Sequence, residues 1–321
     1  MSKREKIIVV FLCAIGIVGC IIPVLLKPGQ YPSDDAFFYL QVASNIVSGY
    51  GSTFSRITPT NGYHPLWQLV VSGIYFVVGN DKAAGLWVTC FVQQLFFLGI
   101  IYWLYRLNEF LHLRYWYIGI PILSVFYLCI GTYASEAHLH GLIFLIACYY
   151  FFRTILNPLR KTTDWFLVSI LFSILFLARL DSIFTIGVFF ILAFYVIKTK
   201  QSDSKIQPVL VLTLPFASFV ALYCWYNYSS YGHFLPISGA IKGTFPHFAG
   251  YFRSLYPMGY VGGIGTLMAL IGALRTKQTG RKIIYLTIGA GSTLLMIYVF
   301  CFTHHVTGWA WYYVSGVFLL A

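Results

Sequence analysis

The chain has 321 residues, of which 59% are hydrophobic and only 9% are charged. Soluble domains have about a quarter of their residues charged, so this composition excludes a soluble protein and indicates an integral membrane protein. The formal net charge of +12 comes from basic residues clustered between apolar runs, which is the charge pattern of membrane topology. We therefore expect a lipid bilayer around the chain and no nucleic-acid partner.

The apolar runs are long and separated by short basic loops, which predicts transmembrane helices rather than the short alternating strands of a β-barrel. The predicted fold class is all-α integral membrane, a multi-span helical bundle of about ten transmembrane helices. The predicted spans are residues 7–26, 83–105, 115–133, 138–152, 165–178, 182–197, 208–226, 257–274, 283–303 and 309–321. The whole chain, 1–321, is read as one domain. Because the last run is too short to span, we expect a fragment or a domain that follows.

The segment from His64 to Gly79 decides the topology of everything after it, because it is apolar but short for a span. If the segment does not cross, 15 of the 21 lysines and arginines lie on the cytoplasmic side; if it crosses, only 7 do. The positive-inside rule favours the first arrangement. The segment is therefore predicted to be a juxtamembrane or re-entrant helix on the outer face, within a first outer loop of residues 27–82.

This topology places most of the polar groups that require an explanation on the outer side of the membrane. They lie in the first outer loop, at span ends, or in a second long outer loop, 227–256: Asp34, Asp35, Arg56, His64, Glu136, Asp181, Lys242 and Arg253. The predicted location is the plasma (inner) membrane, with the site facing the periplasm or the exterior.

The adjacent acidic pair Asp34 and Asp35 follows Ser33, a residue typical of a helix N-cap, and the helix is predicted to continue to Val47. One interpretation is that the two carboxylates only stabilise the helix N-terminus. One capping carboxylate would suffice for that role, and two adjacent anions beside a bilayer repel each other unless a cation or a substrate lies there. A functional role and a structural role are both open on this pattern.

Two other acidic groups lie at outer span ends. Glu136 sits at the junction of two spans, where a carboxylate is costly unless it has a partner or faces water. Asp181 follows Arg179 by two residues, so these two side chains are expected either to pair with each other or to contact a substrate. His64, in a turn-rich stretch, is a candidate hydrogen-bond donor to a sugar or a phosphate. Arg56, in the same loop, is a further candidate for substrate binding.

The stretch that ends at Lys242 is rich in glycine and serine, and a lysine in such a loop suits a phosphate group, with Arg253 as a possible second cation. A lysine that reaches back to the membrane surface gives the same pattern, so both interpretations stay open.

Four stretches together resemble the bacterial GT-C glycosyltransferases, multi-span enzymes akin to protein O-mannosyltransferases and the lipid A aminoarabinose transferase. They are DDAFFYLQVASNIVSGYGSTFSRITPTNGYHPLW at 34–67, GTYASEAHLHGLIFL at 131–145, ARLDS at 178–182 and LPISGAIK at 235–242. The resemblance implies a GT-C-type bundle, with juxtamembrane helices in the first outer loop. It covers essentially the whole chain and is most specific in that loop.

The resemblance also implies roles for single residues. Asp34 corresponds to the carboxylate that acts as general base toward the acceptor, with Asp35 beside it and Glu136 as the second acidic residue. The donor is expected to be a polyprenyl-phosphate sugar, and Lys242 and Arg253 are the candidates to contact its phosphate. Transfer by single displacement would invert the anomeric centre. Some relatives use a divalent cation, Mg²⁺ or Mn²⁺, which Asp34, Asp35 and Glu136 would hold here.

The alternative hypothesis is a transporter or flippase of lipid-linked sugars. Transporters usually place ionisable groups near the bilayer midplane and often consist of paired halves. Here the acidic residues lie at outer span ends, and the sequence has no repeated half. The sequence therefore favours an enzyme, with an extracytoplasmic protein, lipid or envelope glycan as the acceptor. A catalytically silent membrane subunit is a third possibility, and retention of both aspartates argues against it.

Overall fold

The computed structural model describes residues 3–26, 34–112, 117, 119–129, 134–157, 159–200, 206–242 and 257–302. Within these ranges, all regular structure is helical, as predicted, including a 3₁₀ turn at Leu180–Ser182, and one isolated β-bridge lies in a loop. The helices are α1 Lys3–Leu26, α2 Asp34–Val47, α3 Pro65–Val77, α4 Lys82–Phe110, α5 Gly119–Cys129, α6 Ala137–Leu156, α7 Thr162–Ala178, α8 Ile183–Lys200, α9 Ile206–Tyr231, α10 Ile237–Lys242, α11 Pro257–Arg275 and α12 Thr279–Phe302.

Among the described residues, five helical segments are long and apolar enough to cross a membrane. They are Lys82–Phe110, Ala137–Leu156, Leu180–Thr199, Ile206–Tyr231 and Thr279–Val299. These helices make the chain a helical membrane protein. Of the other predicted spans, 309–321 lies outside the described residues, and 115–133 is represented in them by the 11-residue helix α5.

The chain divides into two compact units, and the boundary falls inside α6. The first unit consists of residues 1–142 together with Pro236–Ser238, and the second of residues 143–235 and 239–320. The reading of residues 1–321 as one domain stays a prediction.

In the first unit, α2 and α3 are the two helices that the sequence predicted within residues 27–82, and their position beside the membrane stays a prediction. Helix α2 ends at Val47, and Gly49 follows with a φ of +82°, a conformation that glycine adopts without steric cost. Helix α3 has 13 residues, so it is about 20 Å long, shorter than the ~30 Å hydrocarbon core of a bilayer. This length agrees with the prediction that the His64–Gly79 segment does not cross by itself.

The polar loop between α2 and α3 is tied together by Asn45, which is completely buried at the end of α2. Its side-chain amide donates to the carbonyl oxygens of Thr53 and Phe54, each at 2.9 Å. Farther along, the Ser52 hydroxyl donates to the Thr60 carbonyl at 2.6 Å. A loop with this many internal hydrogen bonds gives the residues at its end, including His64, a defined position.

In the second unit, close helix packing relies on small residues and on hydroxyl groups. A Cβ placed on Gly291 of α12 would lie 2.9 Å from the Cα of Thr185 on α8, so only glycine permits this approach. Helix α9 continues through Pro215, and the backbone N–H of the next residue, Phe216, donates to the Ser169 hydroxyl of α7 at 3.1 Å. A side chain thereby satisfies a backbone donor beside the proline.

Candidate functional site

The structure brings together His64 and Glu136, two residues that the sequence had singled out separately and that are predicted to lie on the outer side. The Nε2 atom of His64 lies 3.7 Å from Oε1 of Glu136. The Glu136 side chain is 7% exposed, whereas the imidazole is 24% exposed. A nearly buried carboxylate therefore faces a histidine that still reaches solvent, which is the environment that the sequence required for Glu136.

The loop before Glu136 is fixed by two buried side chains from other helices. Gln93 of α4 uses both ends of its amide: Oε1 accepts from the Ala134 N–H, and Nε2 donates to the Ser135 carbonyl, each at 2.7 Å. The Trp67 indole of α3 donates to the Ala134 carbonyl at 3.1 Å. Glu136 directly precedes α6, and its carbonyl accepts from the His140 N–H at 2.9 Å.

Tyr39 links the acidic helix α2 to the segment that carries His64, the partner of Glu136. The His64 backbone N–H donates to the Tyr39 hydroxyl at 3.1 Å, and the Gln68 amide donates to the Tyr39 carbonyl at 3.2 Å. Asp35 lies four residues before Tyr39 and therefore on the same face of α2, about 6 Å away along the helix axis. The N-terminus of α2, His64 and Glu136 are thus parts of one structural unit.

Asp34 and Asp35 form the first turn of α2, as predicted, and both are exposed. The Asp34 carboxylate accepts from the Asp35 backbone N–H at 2.9 Å, so it satisfies one of the amide groups at the helix N-terminus. Ser33, the predicted N-cap, lies outside the described residues. Solvent access to both carboxylates leaves them able to meet an acceptor molecule.

Arg56 lies within the first loop and has partners there. Its Nε donates to Asn45 Oδ1 at 3.0 Å, and its guanidinium lies 4.4 Å from the centroid of the Tyr50 ring. Its φ of +65° is unusual for a non-glycine residue. These contacts give Arg56 a role in stabilising the loop, and its role in substrate binding stays a prediction.

The other predicted site residues belong to the second unit or lie outside the described residues. Asp181 accepts two hydrogen bonds from the guanidinium of Arg179, one of the two outcomes that the sequence left open. Lys242 is the last residue of α10. Arg253 lies outside the described residues. The roles of Lys242 and Arg253 toward a phosphate stay predictions.

The second outer loop contributes a short segment to the first unit. The backbone N–H of Ile237 donates to Asn61 Oδ1 at 3.0 Å, and Asn61 is 4% exposed. A Cβ on Gly62 would lie 3.5 Å from the Ile237 side chain. The start of the LPISGAIK stretch is therefore docked on the turn that leads to His64.

The described residues contain no group of three or more His, Cys, Asp or Glu side chains able to hold a metal ion. Asp34, Asp35 and Glu136, which the resemblance suggested as ligands, do not assemble into such a group.

The residues that organise this site were not among those predicted from the sequence. Gln93 and Trp67 lie within apolar helices, and Tyr39 lies on a helix for which only the carboxylates were considered. Gln93 gave one usable signal, because a glutamine inside a 29-residue apolar helix requires hydrogen-bond partners. The sequence did not show which loop supplies them.

No protein-family model, curated protein or solved structure matches this chain.

Proposed function

We propose that this protein is a GT-C-type glycosyltransferase that moves a sugar from a polyprenyl-phosphate donor to an acceptor outside the plasma membrane. The observation that supports the proposal best is the pairing of His64 with the nearly buried Glu136, in one structural unit with the exposed carboxylates of α2. The proposal includes a bundle of about ten membrane spans and a site that faces the outside of the membrane.

The proposed reaction is a single displacement. The ionised Asp34 carboxylate takes the proton of the acceptor hydroxyl while that oxygen attacks the anomeric carbon of the sugar. The bond between the anomeric carbon and the phosphate oxygen breaks, and its electron pair leaves with the polyprenyl phosphate. The configuration at the anomeric carbon is inverted. Asp34 is suited to this role because it is exposed at the start of α2.

In this proposal, His64 and Glu136 bind and orient a substrate. The imidazole is partly exposed, and its Nε2 edge faces the Glu136 carboxylate, which favours one orientation of the ring. An oriented histidine can hydrogen-bond a sugar hydroxyl or a phosphate oxygen. Lys242 and Arg253 are proposed to contact the donor phosphate, where a cation stabilises the charge on the leaving group.

The test uses the full-length protein in liposomes with a panel of radiolabelled polyprenyl-phosphate sugars and a crude envelope fraction as acceptor. We expect the wild type to transfer label from one donor. Asp34→Asn should lower the rate about 10²–10⁴-fold, because it removes the base. Asp81→Asn is the matched control: Asp81 is an outer-loop aspartate that caps α4, and asparagine can still cap the helix.

One result would contradict the proposed reaction, and another would move the role of base from Asp34 to Asp35. If label only changes leaflet, at the same rate in wild type and Asp34→Asn, the glycosyltransferase hypothesis fails and the transporter replaces it. If Asp35→Asn is inactive while Asp34→Asn retains activity, the base is Asp35, which shares its helix face with Tyr39.

A further inference from the structure

We infer that Gln93 is a positioning residue, which holds the loop Ala134–Glu136 so that the Glu136 carboxylate faces His64. Its effect on catalysis rests on the proposed function. Its effect on the contact between His64 and Glu136 does not, and it is measurable without any substrate.

Gln93 is completely buried in the apolar helix α4. A primary amide in this environment is unfavourable unless its donor and acceptor atoms are satisfied. Both ends of the Gln93 amide are used on two consecutive residues, Ala134 and Ser135, at 2.7 Å each. A two-ended contact of this kind fixes the loop both in position and in orientation relative to α4.

The loop conformation depends on such support. Ala134 has a φ of +59°, in the left-handed region that non-glycine residues rarely adopt, and it lies within the segment that Gln93 and Trp67 hold. Two residues later, Glu136 places its carboxylate 3.7 Å from the His64 imidazole. This distance is longer than a hydrogen bond, so the backbone supports on both sides contribute to the geometry of the pair.

The backbone of His64 is held by groups other than Glu136. Its backbone N–H donates to the Tyr39 hydroxyl, and its carbonyl accepts from the Gln68 N–H at 3.1 Å in the first turn of α3. On the Glu136 side of the pair, Gln93 binds the loop backbone at two consecutive residues, and Trp67 adds a third hydrogen bond. A purely structural glutamine would affect stability without affecting how His64 and Glu136 interact, and this difference can be tested.

The test is a double-mutant cycle on the thermal unfolding midpoint of the full-length protein in lipid nanodiscs. His64→Ala, Glu136→Gln and the double variant are compared in the wild-type background and in Gln93→Met. Methionine matches glutamine in size but makes neither hydrogen bond. Gln94→Met is the matched control, because Gln94 is the next residue of α4 and is also buried.

We expect the coupling between His64 and Glu136 to be present in the wild type and in Gln94→Met and to fall by at least half in Gln93→Met. Gln93→Glu should restore it, because a buried, protonated carboxyl group can accept from the Ala134 N–H and donate to the Ser135 carbonyl. If Gln93→Met does not fold, Gln93→Asn replaces it. Asparagine is too short to reach both groups, so this variant should also lower the coupling. Equal coupling in all backgrounds, or no coupling in the wild type, overturns the inference.

A kinetic arm then connects the inference to catalysis. If the wild type transfers sugar, Gln93→Met should lower kcat/KM for the donor to the level of Glu136→Gln, because both variants disturb the contact between Glu136 and His64. Adding Gln93→Met to Glu136→Gln should cause no further loss, and a multiplicative loss contradicts the inference. If the wild type transfers no sugar, the proposed function fails, while the cycle still decides whether Gln93 positions Glu136.

Discussion

At the scale of single residues, Arg179 and Asp181 show how the surroundings decide between two roles. Arg179 is 1% exposed, and its guanidinium makes two hydrogen bonds to the Asp181 carboxylate, one of them at 3.0 Å from Nε to Oδ1. A guanidinium this deeply buried requires a counter-charge. The geometry therefore favours a structural ion pair over the alternative that Asp181 binds a substrate.

We predict that Asp181→Asn lowers the free energy of unfolding by about 3–5 kcal/mol, because it leaves the buried Arg179 charge without its carboxylate. The double variant Arg179→Met/Asp181→Asn should be more stable than Asp181→Asn alone, since it removes the uncompensated charge. Thermal or denaturant unfolding of the protein in detergent or nanodiscs measures both. Loss of sugar transfer in Asp181→Asn with an unchanged unfolding midpoint would instead support a substrate contact.

At the scale of helices, the contact between α3 and α4 depends on Gly85. A Cβ on Gly85 would lie 2.5 Å from the Tyr75 ring, and that tyrosine is 1% exposed. Burial, and to a smaller extent the Asp81 carboxylate, raises the pKa of Tyr75 to about 12, so the ring stays neutral at physiological pH. Helix α3, which carries Trp67, thus packs directly against the backbone of α4.

We predict that Gly85→Ala destabilises the protein by about 1–3 kcal/mol, because the new methyl group overlaps a buried ring. Gly73→Ala, in the exposed part of α3, has no heavy atom within 4 Å of the new methyl group. It should stabilise the protein by up to about 1 kcal/mol through helix propensity. Unfolding midpoints of the two variants measure the difference, and equal midpoints would contradict this packing of α3 against α4.

At the scale of the whole molecule, the positive-inside rule predicts opposite sides for two exposed loops. Ile57, in the first outer loop, is 85% exposed, and Leu159, in the basic loop after α6, is 81% exposed. We predict that a membrane-impermeant maleimide labels Ile57→Cys in intact spheroplasts and labels Leu159→Cys only after lysis. The wild type gives the background of the native cysteines. Labelling of Leu159→Cys before lysis would mean that the 64–79 segment crosses the membrane, which would reverse the topology.

The sequence by itself determined the class of the protein, because apolar composition and the length of apolar runs depend only on the order of residues along the chain. It also determined the local elements of the first loop. The acidic start of α2, its end before Gly49 and the shortness of α3 follow from local propensity and from helix geometry.

Only the tertiary structure decided which residues meet. His64 was predicted as a sugar or phosphate ligand and Glu136 as a second acidic residue, and neither prediction included their contact. Gln93 reads as one polar residue within an apolar helix until the loop that it holds is known. Contacts between residues far apart in sequence depend on how helices rotate and pack against one another, and apolar helices of similar composition leave that choice open. In this protein, the packing of α3 on α4 and the hydrogen bonds of Gln93 and Trp67 to the Ala134 loop determine which residues meet.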